Sequence, residues 1–179
     1  MPLFRRPARS TPAGSPAPGS RTVRTDDGVD LHVEVDGTPD APLTLLLTHG
    51  FTARLGEWAD QRAALRGRAR LVLWDHRGHG RSAWGDRRTA TIDRTGRDLG
   101  EVLDATTPSG PVVLAGHSMG GMSVLALARR RPELFGTRVV GVFLLATSAD
   151  GLIPDGVVGR AFELTRRLGW WPSTSAGCS

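Results

Sequence analysis

The sequence contains no lysine, no asparagine and no tyrosine, and isoleucine occurs only at Ile92 and Ile153. All 23 basic residues are therefore arginine. The missing residue types share AT-rich codons, so a GC-rich genome accounts for the bias, which carries no functional meaning. A single cysteine, Cys178, excludes an internal disulfide and fits a reducing, cytoplasmic setting. No stretch approaches the roughly 18 consecutive apolar residues of a spanning helix. Residues 1–20 lack the apolar core of a secretory signal, so no membrane partner is expected. Basic charge is scarcer than the net value of +5 suggests. Arg5, Arg6, Arg9, Arg21 and Arg24 precede the first acid, Asp26, and the other 18 arginines meet 18 acids. From Asp26 onward the formal charge sums to zero, which excludes a broad phosphate-binding face and a nucleic-acid partner.

What is present fits one globular domain: 179 residues, 39 % hydrophobic and 23 % charged. Residues 1–20, rich in Pro, Ser, Ala and Arg, read as a disordered basic tail. Residues 21–25 and 29–36 flank Asp26-Asp27-Gly28 and predict a β-hairpin. In its second strand Leu31, Val33 and Val35 alternate with His32, Glu34 and Asp36, giving one apolar and one wet face. Continuous apolar runs at 43–48, 70–74, 112–115 and 139–146 predict buried strands. Helical spacing marks 57–65, 91–103 and 119–130, with a further short helix over 157–168. Strands alternating with helices predict an α/β fold with a mostly parallel sheet.

The most informative stretch is Gly116-His117-Ser118-Met119-Gly120, followed by Gly121. It lies between an apolar strand and a helical run, the setting a nucleophile elbow requires. Glycines on both sides of the serine let strand and helix pack closely around a strained turn. Such a serine then stands at the carboxyl edge of a parallel sheet, where ligands bind. It is inert alone and needs a histidine to take its proton and a carboxylate to orient that histidine.

Two further segments follow predicted strands: His49-Gly50-Phe51, and Asp75-His76-Arg77-Gly78-His79-Gly80-Arg81-Ser82. With the elbow, the three motifs in this order resemble the α/β-hydrolase superfamily on its serine-esterase side, over roughly residues 22–150. The resemblance implies Ser118 as the nucleophile of an acyl-enzyme. It implies the backbone N–H groups of Phe51 and Met119 as the oxyanion hole. His49 would buttress the oxyanion loop, while Asp75, Arg77 and Ser82 would cross-link loops. The expected partner is a small-molecule acyl substrate, with no cofactor and no metal.

In that family the acid and then the histidine follow the serine. Here the five histidines are His32, His49, His76, His79 and His117, and none follows Ser118. No catalytic histidine is assigned. His117 should point away from the hydroxyl, and His79 is the least remote substitute. Asp150, just after the last apolar strand, is the candidate acid. Residues 21–150 thus read as the N-terminal part of the hydrolase core and 151–179 as the start of a cap region. The C-terminal strands would be missing, through truncation or a frame shift, leaving the strand at 139–146 as a sheet edge. Three readings follow: an impaired serine hydrolase, a non-catalytic pseudo-hydrolase that binds small molecules, or one part of a split hydrolase with a complementing chain.

Overall fold

A computed structural model describes residues 19–149. The chain enters through a hairpin of β1 (Gly19–Arg24) and β2 (Asp30–Gly37), paired antiparallel with Val23 opposite Leu31. Its turn closes because the Thr25 hydroxyl accepts the Val29 N–H at 2.9 Å while Gly28 takes φ +81°. β1 begins two residues inside the segment expected to be a disordered tail. Next come β3 (Thr44–Thr48), α1 (Ala59–Leu65), β4 (Arg70–Trp74), α2 (Ile92–Thr106), β5 (Val112–His117), α3 (Met119–Arg130) and β6 (Val139–Leu145). The sheet order is β1-β2-β4-β3-β5-β6. β2 runs antiparallel to β4, and β4, β3, β5 and β6 are mutually parallel. The expected mostly parallel α/β sheet is therefore present.

Helices cover both faces. On one, α2 and α3 press Leu99, Val102, Leu103, Val124 and Leu127 against Leu31, Val33, Leu46, Val72 and Leu114. Gly96 permits this packing: a Cβ there would lie 2.6 Å from that of Ala126. On the other face Trp58 joins Leu47, Leu71 and Leu73. Each such side chain contributes roughly 1.5–3 kcal/mol on burial. The Thr91 hydroxyl caps α2, and Arg129 and Arg130 sit in the last turn of α3, where cations suit the helix dipole.

Three expectations need correction. The helix expected from residue 57 begins as a 3₁₀ turn, Leu55–Trp58, and becomes α-helical only at Ala59. The wet face of β2 is not wet at its centre. Glu34 is buried, and Arg62 from α1 donates to Glu34 and to Asp36 at 2.6 and 2.8 Å. Burial opposes the Glu34 charge, but the Arg62 guanidinium outweighs it and holds the carboxyl below its ordinary pKa. Finally, the strand read as buried from its apolar run is half exposed. Val140, Val142, Phe143, Leu144 and Leu145 are 40–54 % exposed; among the described residues β6 pairs with β5 alone, the edge position expected for it.

Candidate active site

Ser118 joins β5 to α3 and holds φ 49°, ψ −116°. A non-glycine residue in that region is strained, and such strain persists only where the surroundings fix it. Those surroundings are specific. The Ser118 N–H donates to the Leu145 carbonyl at 2.9 Å, and its own carbonyl accepts from the Thr147 hydroxyl at 2.7 Å. The flanking glycines admit no side chain: a Cβ at Gly120 would lie 2.2 Å from the Thr48 carbonyl oxygen, and one at Gly116 2.6 Å from Gly120. This is the strand–turn–helix geometry expected of the elbow. Ser118 is half-buried.

The other two non-glycine residues at positive φ, among those described, are Thr52 and Ala146. Ala146 lies between Leu145 and Thr147, the two residues bonded to Ser118. Thr52 belongs to the turn that starts at Gly50, where a Cβ would lie 3.4 Å from the Ser118 Cβ. The strained positions thus comprise Ser118 itself, the segment bonded to it and the turn that begins beside it.

The segment after β3 is held by histidines. His49 is fully buried; its Nδ1 donates to the Gly50 carbonyl at 2.7 Å and its Nε2 accepts the His76 N–H at 3.0 Å. That second bond fixes the tautomer, since a backbone N–H can only donate. His76 Nε2 in turn donates to the His49 carbonyl at 3.1 Å. Burial pushes the pKa of His49 below its usual value and that of His76 well below, so both rings are neutral at pH 7. The basic nitrogen of His49 is already engaged, which suits a buttress and not a general base.

The long loop after β4 cross-links as expected. Asp75 accepts the N–H groups of Leu55 and Arg81 at 2.7 and 2.9 Å. The Ser82 hydroxyl donates to the Asp75 carbonyl and accepts from His32 N–H. Arg77 forks onto Asp98 through Nε and Nη2 at 2.6 and 2.8 Å, and reaches Asp27. Burial opposes its charge, but Asp98 and Asp27 outweigh it and raise its pKa. The Arg77 hydrogen bond holds the Asp27 carboxyl far below the usual range. His79 donates from Nδ1 to the Arg77 carbonyl at 3.0 Å and stacks edge-on against Phe51 at 5.8 Å.

The remaining candidates divide as follows. Met119 opens α3, where helix amides lack intrahelical partners, and Phe51 follows Gly50 beside the elbow. His117 Nδ1 is closed off from solvent and lies against Glu57 Oε1. Among the described residues no histidine is hydrogen-bonded to the Ser118 hydroxyl. Asp150 lies outside the described residues, as do the cap segment and the basic tail up to residue 18. Sequence reasoning missed Glu57, whose Oε2 accepts the Gly50 N–H at 2.8 Å; no motif spacing announces that contact. No described helix is long and apolar enough to cross a membrane.

Comparison with known proteins agrees with this geometry. The family model described as serine aminopeptidase, S33, matches residues 39–169. RutD of Azorhizobium caulinodans, which bears the name of a carbamate hydrolase, is 34 % identical over 139 residues, covering 78 % of this chain and 48 % of that protein. A thermophilic esterase from Thermogutta terrifontis superposes with a TM-score of 0.68 at 30 % identity, over 84 % of this chain and 52 % of the esterase. A hydrolase from Pseudomonas aeruginosa gives a TM-score of 0.68 at 28 % identity, over 86 % and 54 %. The chain thus spans about half the length of the relatives it matches. Its sheet order, its elbow and these matches place it in the serine aminopeptidase S33 family of α/β hydrolases.

Proposed function

We propose that Ser118 is the nucleophile of a hydrolytic site for carboxylic esters or related acyl compounds. Its hydroxyl attacks the acyl carbonyl, and the N–H groups of Phe51 and Met119 receive the negative charge that develops on the oxygen. The observation that supports this reading is the strained Ser118 backbone, pinned on both sides of the peptide by Leu145 and Thr147. Such strain costs on the order of 1–3 kcal/mol and is retained where it presents a side chain for chemistry.

Among the described residues, which include all five histidines, none accepts the proton of Ser118. His49 and His76 are neutral but engaged or enclosed, and His117 faces Glu57. On this reading, residues 1–179 by themselves act as an impaired hydrolase. An oxyanion hole and binding alone leave roughly 10³–10⁴-fold acceleration over water, well below the ~10⁶-fold or more of ordinary enzymes. The test is hydrolysis of a short p-nitrophenyl ester by purified chain and by Ser118→Ala. The expected result is a slow reaction in both proteins, because without a base the serine adds little to the acceleration left by the oxyanion hole. Esterase turnover at ordinary rates would refute the impairment; esterase turnover at ordinary rates that survives Ser118→Ala would refute the nucleophile as well.

A further inference from the structure

We infer that Glu57 is a positioning residue for the oxyanion segment, an inference that rests on the reading of Phe51 N–H as an oxyanion donor. The need for such a residue starts with Gly50. A Cβ at this position would lie 2.9 Å from His117 Nδ1 and 3.4 Å from Ser118 Cβ, so the approach of the loop to the elbow demands glycine. Glycine, however, is the residue whose backbone is least constrained. The close approach thus introduces freedom at the peptide next to the donor.

Two contacts remove that freedom, one for each peptide plane that meets at Gly50. The Gly50 carbonyl and the Phe51 N–H belong to one rigid plane and point in opposite directions. His49 Nδ1 holds that carbonyl at 2.7 Å, which aims the Phe51 N–H the other way. The preceding plane carries the Gly50 N–H, which donates to Glu57 Oε2 at 2.8 Å. The second oxygen of the same carboxylate lies against His117 Nδ1, on the residue next to Ser118. One side chain therefore spans the oxyanion loop and the elbow, and fixes their separation.

Glu57 is itself anchored. Its 3₁₀ turn begins at Leu55, whose N–H donates to Asp75 Oδ1 at 2.7 Å, and the next residue, Trp58, is buried in the core. Nothing about this role requires contact with substrate: Glu57 acts through the Gly50 peptide.

The test uses the full chain with Glu57→Ala, Glu57→Asp and Glu57→Gln, with Ser118→Ala as background. The readout is the second-order rate of Ser118 modification by a fluorophosphonate, alongside thermal transitions. Glu57→Gln keeps an acceptor for the Gly50 N–H and should stay within about threefold of the parent. Glu57→Ala should fall on the order of 10- to 100-fold, as expected when reacting groups are misplaced by about an ångström. Glu57→Asp, too short to reach, should behave like Glu57→Ala and replaces it if that variant fails to fold. Unchanged modification in Glu57→Ala or Glu57→Asp overturns the inference, as does an equal loss in Glu57→Gln. Parent labelling no faster than Ser118→Ala shows instead that Ser118 is unreactive without a base. Exchange of the Gly50 amide then decides on Glu57: slow in the parent and Glu57→Gln but fast in Glu57→Ala supports it, and no difference overturns it.

Discussion

The Ser118 N–H donates to the Leu145 carbonyl at 2.9 Å, so the strained elbow hangs on the last residue of the outermost strand. The strand that anchors the site is also the one that exposes the most large apolar side chains among the described residues. Conformational precision at Ser118 and exposure at β6 are thereby linked.

The first prediction concerns that strand. β6 carries no charge and no proline, the usual guards against edge-to-edge pairing, and it is apolar and β-branched. Val142→Lys or Leu144→Lys should raise the concentration of protein that stays in solution, at a cost of about 1 kcal/mol or less in stability. Centrifugation after concentration, with urea denaturation alongside, measures both. A parent chain that remains monomeric at high concentration and unfolds in one sharp transition would show that the edge needs no guard.

Gly120→Ala should be far more damaging than its one methyl suggests. The new Cβ would sit 2.2 Å from the Thr48 carbonyl oxygen and 2.7 Å from that of His49, both backbone atoms that cannot swing aside. Overpacking of this kind costs about 1–3 kcal/mol, and rigid neighbours put this site at the upper end or beyond. Gly110→Ala is the control, where no atom crowds the added Cβ but φ is +84°; it should cost less. Denaturant midpoints for the two variants decide the ranking.

Stability should depend on pH through the two buried imidazoles. Burial depresses the pKa of both His49 and His76 relative to the unfolded value of about 6.5. The unfolded chain therefore takes up protons that the folded chain refuses. Their contribution is complete above pH 6.5 and is lost as pH falls below it toward their folded values. The limiting slope is about 1.4 kcal/mol per pH unit for each ring. Urea midpoints at pH 8, 6.5 and 5 should stay level over the first interval and drop over the second. His76→Gln, though less stable throughout, should show a shallower drop.

If Ser118 and the Phe51 and Met119 N–H groups have the roles proposed for them, joining the C-terminal part of a related serine hydrolase after residue 152 should restore activity. In that chimera Ser118→Ala should abolish acyl-enzyme formation. Phe51→Ala should cost little, because the backbone N–H survives. Phe51→Pro removes it and should lower kcat about 10²- to 10³-fold. A folded chimera that hydrolyses esters equally well with Ser118→Ala would overturn the nucleophile assignment.

Elements whose side chains report their own surroundings were legible in the sequence. β4 and α3 occupy the predicted residues, because an unbroken apolar run and a regular helical stripe each name their state. The elbow was legible because its glycines are required by contacts only a few residues away. What escaped depends on partners distant in sequence. Glu34 reads as solvent-facing until Arg62, 28 residues on, covers it. The 3₁₀ turn at Leu55–Trp58 is set by Asp75, 20 residues away. Glu57 looks like any first-turn acid, and only the folded loop brings it to Gly50 and His117.

The two margins of the sheet differ in kind, and this limits how copies could add to one another. β1 presents Arg21 and Arg24, the latter paired with Asp30, along a mostly exposed polar strand. β6 presents valine, phenylalanine and leucine. A head-to-tail joint would press the apolar margin onto the arginines and leave their charge without water. A joint of like margins makes no such demand, and two-fold pairing uses up the apolar edge of both copies. Among the described residues, a β6-to-β6 joint would therefore use up the apolar margin of both copies and leave the arginine-bearing β1 margins outward.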